Sequence, residues 1–286
     1  MIPAAFEYAA PDSIDEAIAL LERNDDAKLL AGGHSLLPLM KLRLAAPSLL
    51  VDLRRVSGLD GIEEANGEIR IGGMVTHAAI ERSDLLVRRA PLLPAVAATI
   101  GDVQVRNRGT IGGSLAHADP AADLPAAVLA LDAQLVARGA AGERVVSAAD
   151  FFVDLLTTAL DPGEVLTEVR VPVPGMGSGS AYAKFPNPAS HYAIVGVAAR
   201  VDMQDGRVRE ARVAVTGATA TAYLSAAAAA RLQGSSGDAA AIAEAAGLAA
   251  EGREMLEDLS ASAAYRAHLV AVQARRALAE AVAAAG

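Results

Sequence analysis

The chain has no cysteine and no tryptophan, and aromatic residues make up only 3% of its 286 positions. Without cysteine there is no disulfide framework, no cysteine-ligated zinc, no thiol nucleophile and no protein-ligated iron–sulfur cluster in this chain. With so few aromatics, the core has to be aliphatic. Basic charge is also scarce: 25 Lys and Arg stand against 34 Asp and Glu, a formal net charge of −9. That argues against nucleic acid as a partner, because phosphate neutralisation needs a basic surface. No run of about 18 strongly apolar residues is present, so no transmembrane segment is expected. The opening Met1-Ile2-Pro3-Ala4-Ala5-Phe6-Glu7 lacks the basic and apolar regions of a signal peptide. The expectation is a cytoplasmic protein. Its length gives a prior of about two domains, and such a chain can bury a core without covalent staples.

Familiar chemical signatures are missing as well. There is no G-x-x-x-x-G-K-[ST], which argues against P-loop phosphate transfer. No G-x-G-x-x-G follows a strand, so a Rossmann dinucleotide site is not supported. No G-x-S-x-G elbow is present. His34, His77, His117, His191 and His268 show no H-x-H or H-x-x-x-H pair, and no metal site is expected.

What is present reads first as alternating strand and helix. Ser13 and Glu16 form an S-x-x-E capping box ahead of Ile14, Ala17, Ile18 and Leu21 at helical spacing, which predicts an amphipathic helix over 13–23. Ala27 to Ala31 reads as a strand stopped by Gly32-Gly33. Leu49 to Leu53 and Glu68 to Ile71 read as further strands, the latter ending at Gly72-Gly73, with Thr76 capping the next helix. Pro91 and Pro94 open an apolar helix. A polar connection follows over 101–109, in which Arg106 and Arg108 read as a solvated loop, and a Leu/Ala helix starts near Leu124. Residues 133–147 and 164–171 look like strands. The Pro/Gly/Ser stretch from Pro172 to Ser180 reads as a linker. Beyond it come β-like runs at 180–185, 191–202 and 207–216, the last two joined by Gln204-Asp205-Gly206, and then alanine-rich helix from about Ala222. Strands followed by helices make this part α+β.

Two glycine segments stand out, Ala31-Gly32-Gly33-His34-Ser35 and Thr110-Ile111-Gly112-Gly113-Ser114. Glycine permits positive φ and close backbone approach, and successive N–H groups in such a turn make a concavity for anions. The plain alternative for any one Gly-Gly pair is an ordinary tight turn, and Gly72-Gly73 reads as that. Past the second segment, Asp119 and Asp123 are placed to meet sugar hydroxyls. On local pattern alone, Asp119 caps a turn before Pro120 and Asp123 caps the following helix. Lys184, inside a β-like run, belongs on a solvent face, the alternative being contact with a ribose or flavin oxygen.

Taken together, the two glycine segments and Asp119-Pro120-x-x-Asp123 resemble the FAD-binding medium subunit of the molybdenum hydroxylases, the xanthine dehydrogenase family. Within it the likeness is nearest to the aerobic carbon monoxide dehydrogenase type. Phe6-x-Tyr8-x-x-Pro11-x-Ser13, Leu36-x-Pro38-x-Met40-Lys41-x-Arg43-Leu44, Val51-Asp52-Leu53 and Tyr265-Arg266 with Arg276-Ala277-Leu278 extend the resemblance along essentially the whole chain. It implies an α+β fold. Residues 1–175 would be a two-lobed α/β FAD-binding domain of the vanillyl-alcohol-oxidase/PCMH type, with lobes of about 1–57 and 58–175. Residues 178–286 would be a carbon monoxide dehydrogenase flavoprotein C-terminal domain, a three-stranded antiparallel sheet with a helical bundle.

The resemblance also implies roles. Leu29, Leu30 and Ala31 lead into Gly32, Gly33, His34, Ser35 and Leu36, which with Thr110, Ile111, Gly112, Gly113 and Ser114 would wrap the FAD pyrophosphate through backbone N–H groups. Valine at Gly33 or Gly112 would then fill the phosphate space and abolish FAD binding. Asp123 would bond ribose or ribityl hydroxyls, and Ile100 would lie against the isoalloxazine. Leu166 and Lys184 would contact the flavin or adenosine end, and Tyr192 would lie over the flavin as a gate. No other catalytic residue and no metal ligand is implied. Partner subunits would carry the molybdenum cofactor and two [2Fe–2S] clusters, as a dimer of heterotrimers that delivers electrons through this FAD to a quinone or other acceptor. A peripheral position at the inner membrane face is an alternative to free cytoplasm. Two departures, Phe185-Pro186-Asn187-Pro188 in place of a more basic stretch and Ser114 where many relatives carry Asn or Asp, leave the substrate open. The alternatives to carbon monoxide are nicotine, caffeine, xanthine or other purines, aldehydes and aromatic acyl-CoA thioesters. An alternative of another class is a non-catalytic nucleotide-binding scaffold.

Overall fold

The computed structural model describes residues 2–286. The chain begins with a small parallel sheet built from β1 (Glu7–Ala9), α1 (Ile14–Glu22), β2 (Lys28–Leu30), α2 (Leu36–Lys41) and β3 (Leu49–Asp52), in the order β1-β3-β2. Parallel pairing demands crossovers, and α1 and α2 supply them. Helix α1 starts where its cap predicts, with Ser13 Oγ accepting the Glu16 N–H at 3.2 Å. The reciprocal half of the box is shifted by one residue, because the Glu16 carboxylate accepts from the N–H of Asp12 at 3.1 Å.

The second sheet is antiparallel. It uses β4 (Ile62–Ala65) and β5 (Glu68–Gly72). The helices α3 (His77–Arg82), α4 (Asp84–Arg89), α5 (Leu92–Ala98), α6 (Val103–Arg106), α7 (Ile111–His117) and α8 (Leu124–Ala130) follow. The chain then returns through β6 (Gln134–Gly139), β7 (Gly142–Ser147), α9 (Ala148–Phe151), a small hairpin of β8 (Phe152–Asp154) and β9 (Thr157–Thr158), and β10 (Val165–Pro172). The sheet order is β4-β5-β10-β6-β7. Residues 133–147, expected as one strand, fold back on themselves as β6 and β7, because Gly139-Ala140-Ala141-Gly142 turns the chain with Gly142 at φ +111°. The 101–109 connection contains the helical turn α6, capped by Asp102.

The last part runs through β11 (Ser178–Pro186), β12 (Ala193–Gln204), β13 (Arg207–Thr216), β14 (Tyr223–Leu224), α10 (Ala226–Leu232), α11 (Ala239–Gly247) and α12 (Ala263–Ala285). Its antiparallel sheet has four strands, not the expected three, because two-residue β14 pairs on the outer edge of β13. Strand β12 is buried on both faces, so it reads as an apolar run with little alternation. Val195, Val197, Ala199 and Val201 pack in one core with α12, while Ala198 and Ala214 join the core of the second sheet and α8. Every residue of α8 is buried between these layers. The C-terminal sheet is thus the back wall behind the segment that carries Asp119 and Asp123.

Candidate cofactor site

A cavity of about 650 Å³ opens where the parallel sheet, the second sheet and the α6–α7 region meet, a size typical of small-molecule sites. The first glycine segment forms one wall. Gly33 sits at φ +75°, and Ser35 then turns into α2. Among the described residues, the N–H groups of Gly32, Gly33, His34, Ser35 and Leu36 find no acceptor in the protein. Five donors on one short turn are the arrangement that receives an anion. Gly32 has a separate task. A Cβ there would fall onto the Arg108 carbonyl oxygen, so only glycine lets this turn lie against the chain before Thr110.

The second glycine segment is built differently from the first. Residues 110–114 are the start of α7, and their donors are already engaged. Ile111 N–H bonds the Val75 carbonyl at 3.0 Å, Gly112 N–H the Gly73 carbonyl at 2.9 Å, and Ser114 N–H the Thr110 carbonyl at 3.0 Å. Gly113 N–H is capped by Thr110 Oγ1 at 3.1 Å. These N–H groups cannot also wrap a pyrophosphate without breaking the helix start. Gly112 is a packing glycine, since a Cβ there would stand 2.6 Å from the Gly73 carbonyl oxygen. Valine at 112 therefore collides with backbone before it reaches any ligand. Ile111 is fully buried in the core and does not reach the cavity, whereas Thr110, Gly112, Gly113 and Ser114 line it.

Leu29, Leu30, Ala31 and the run from Gly32 to Leu36 all border the cavity, as do Ile100 and Leu166. Gly73, read from the sequence as an ordinary turn, is also on the wall, and its N–H bonds the Thr167 carbonyl at 2.7 Å. No local signal separates it from a turn; only the partner segments reveal it. Arg106 is not a solvated loop residue either. It pairs with Glu81 at 2.8 Å and bonds the Ile100 carbonyl at 3.1 Å, which fixes Ile100 at the cavity edge.

Asp123 lines the cavity but does not cap α8, because both its oxygens are taken by β11. Tyr182 donates to one, and Lys184 Nζ meets the other at 2.8 Å and the Thr99 carbonyl at 3.1 Å. Burial pushes the Asp123 carboxyl up, opposed by Lys184 and Tyr182. Lys184 lies neither on a solvent face nor on the cavity wall; its side chain is 6% exposed and serves this ion pair. Tyr182, two residues earlier on the same strand face, is the missed partner, and its i, i+2 spacing to Lys184 was the available signal. Asp119 does form the expected turn, accepting the Ala121 N–H at 2.9 Å. Thr216 Oγ1 donates to this segment through shared contacts with the Pro120 carbonyl at 2.9 Å and the Ala122 carbonyl at 2.7 Å.

The mouth is bordered by Ser190, His191 and Tyr192. Asn187 folds this loop by accepting from the N–H groups of Ala189 and Ser190. Tyr192 remains substantially exposed and faces Ser35 and Asp119; partial burial and the Asp119 charge push its phenol up. Among the described residues, no group of three or more His, Asp and Glu side chains is arranged to hold a metal.

Two family patterns span this architecture. "FAD binding domain in molybdopterin dehydrogenase" matches residues 4–174, and "CO dehydrogenase flavoprotein C-terminal domain" matches residues 180–281. The chain belongs to the FAD-binding subunits of the molybdopterin dehydrogenases. This flavoprotein subunit is 41% identical to the carbon monoxide dehydrogenase medium chain of Hydrogenophaga pseudoflava, over 97% of each chain. It is 40% identical to the alpha subunit of the 6-hydroxypseudooxynicotine dehydrogenase complex of Paenarthrobacter nicotinovorans, over 99% of this chain and 96% of that one. A solved carbon monoxide dehydrogenase chain from Hydrogenophaga pseudoflava superposes with a TM-score of 0.96 at 43% identity, covering 99% of each. The flavoprotein subunit is thus an FAD-binding oxidoreductase component with the expected mixed α/β architecture. Among the described residues, no helix is long and apolar enough to cross a membrane.

Proposed function

We propose that this chain is the electron-transfer flavoprotein of a heterotrimeric molybdenum hydroxylase. In this reading it receives electrons from the [2Fe–2S] clusters of a small partner subunit, which draws them from a large molybdenum-binding subunit, and passes them to a quinone or other acceptor. The observation that carries the reading is the row of five unpaired N–H donors from Gly32 to Leu36 on the wall of a cavity of flavin-nucleotide size. Bound FAD would supply the redox chemistry, and the protein supplies position and electrostatics. The 32–36 turn holds the diphosphate through charge-assisted hydrogen bonds. Thr110 and Ser114 offer hydroxyl O–H donors rather than N–H groups. Asp123, fixed by Lys184 and Tyr182, presents a held carboxylate edge to ribose or ribityl hydroxyls. Ile100 and Leu166 give apolar contact, and Tyr192 at the mouth screens access.

The chain's own domain division in this reading falls near 175–178, with the FAD-binding part ahead of it. Carbon monoxide is the favoured substrate of the whole complex, supported by the resemblance along the full chain. Similarity to a relative named for 6-hydroxypseudooxynicotine is nearly equal, however. In this reading the substrate meets the large subunit, whose active-site residues decide between them. The complex would work inside the cell.

The test is purification from the native host. Flavin bands, iron–sulfur absorbance, two co-purifying subunits and dye reduction driven by carbon monoxide are the expected outcome. Dye reduction driven by an N-heterocycle or aldehyde instead would move the substrate and keep the subunit role. A colourless chain that retains no added FAD on gel filtration would remove the electron-transfer role and leave a nucleotide-binding scaffold.

A further inference from the structure

Four of the chain's five histidines, scattered in sequence, line this cavity: His34, His77, His117 and His191. The same wall carries a single lysine, Lys28, and no arginine among the described residues. Of its carboxylates, Asp123 is paired with Lys184, and Glu164 and Asp161 with Arg144, so Asp119 is the one that adds uncompensated negative charge. A diphosphate that enters brings two further negative charges. Neutral N–H groups can hydrogen-bond it but cannot neutralise it. The wall therefore recruits positive charge from a group that ionises near neutral pH, and histidine is the side chain that does so.

His34 belongs to the turn with the five unpaired donors. His77, the first residue of α3, is buried beside it, with its backbone N–H on the Gly109 carbonyl at 2.9 Å and its ring packed where a Gly109 Cβ would sit. Its Nδ1 has no partner. The charged groups facing His77 are His34 and Arg106, the latter paired with Glu81. In the ligand-free chain, burial first, then His34 and Arg106, holds the His77 imidazole down to about 4. An opposite charge within about 4–6 Å moves a pKa by roughly one to three units, and the diphosphate carries two charges.

We propose that binding of the nucleotide diphosphate is coupled to proton uptake at His77, so that this buried imidazole supplies positive charge that the cavity wall otherwise lacks. The proposal rests on the reading of the cavity as an FAD site. The sign is fixed by linkage: uptake on binding means that affinity falls as pH rises.

The experiment is calorimetric titration of the ligand-free full chain with FAD, and with ADP-ribose, between pH 6 and 8 in buffers of different ionisation enthalpy. Both ligands are diphosphate diesters whose charges do not change over that range. The expected result is net proton uptake with both, and a Kd that rises about threefold per pH unit, the slope for half a proton taken up. His77→Gln should abolish the uptake, with folding checked by circular dichroism. His268→Gln, which removes the one histidine outside the cavity, where it stacks on Tyr265, should leave it unchanged. Tight FAD binding with a flat Kd and no uptake would overturn the proposal and spare the FAD reading. Unchanged uptake in His77→Gln, or uptake with FAD but not with ADP-ribose, would overturn it as well. Failure of FAD to bind at any pH would remove both.

Discussion

Gly32-Gly33-His34-Ser35 and Gly112-Gly113-Ser114 look alike in sequence and do opposite work in the fold. The first turn leaves its N–H groups from Gly32 to Leu36 free and facing a cavity. The second has spent its donors on Val75, Gly73 and its own Thr110 cap, and its glycine at 112 exists for close packing against Gly73. One is a row of free donors on a cavity wall; the other is the brace that holds it. The difference lies in where backbone hydrogen bonds go, which residue identity alone does not reveal.

Perturbing the brace should cost stability, and perturbing the open turn should cost affinity. The largest effect is expected at the clamp behind the second segment. Lys184→Met leaves Asp123 buried without its cation, and breaking a buried pair destabilises by about 3–5 kcal/mol. Urea denaturation reads this, and a loss below about 1 kcal/mol would show that the clamp is not part of the brace.

Next comes pH. Burial holds His77 down to about 4 in the fold, against an ordinary value near 6.5. The unfolded chain therefore binds the extra proton between these values, so stability is fully present above about 6.5 and falls as pH drops towards 4. The shift corresponds to about 3 kcal/mol over that window. In the ligand-free chain, His77→Gln should flatten this acid-side decline; an unchanged pH profile would contradict the burial of a neutral imidazole.

Gly112→Ala should lower stability by about 1–3 kcal/mol through overpacking against backbone. The FAD affinity of its folded fraction should change little. Gly33→Ala is the mirror case. It carries strain at φ +75° worth about 1 kcal/mol and meets only side chains, Leu37 at 2.9 Å and Leu30 at 3.3 Å. Re-aiming one charge-assisted donor should weaken FAD binding by about tenfold or more. If the two variants exchanged these phenotypes, the comparison would be reversed. The smallest effect is expected for Thr110→Ala, which removes the α7 cap for about 1 kcal/mol and should not affect the open turn.

Much of this architecture was legible in the residues. Ser13 and Thr76 announced helix starts because capping is local. The apolar run of β12 announced a strand because burial on both faces leaves little alternation. The residues from Leu29 to Leu36, with Ile100, Ser114, Leu166 and Tyr192, line one cavity. What stayed hidden was long-range. Lys184 reads as a solvent or ligand residue because its partner lies 61 positions earlier, and the partner of Tyr182 is nearly as distant. Gly73 passed as a turn because its neighbours, Leu166 and Gly112, come from distant segments. Strand β14 is two residues long and exists only by pairing with β13. Each of these depends on what the chain meets in space rather than on its local pattern.

The most direct test of an open turn beside a closed brace is amide hydrogen exchange of the full chain, with and without saturating FAD. The account predicts fast exchange at residues 32–36 in the ligand-free chain, strong protection there once FAD is bound, and amides of 111–114 protected in both states. Amides 32–36 that stay fast in the FAD complex, or amides 111–114 that gain protection only with FAD, would contradict it.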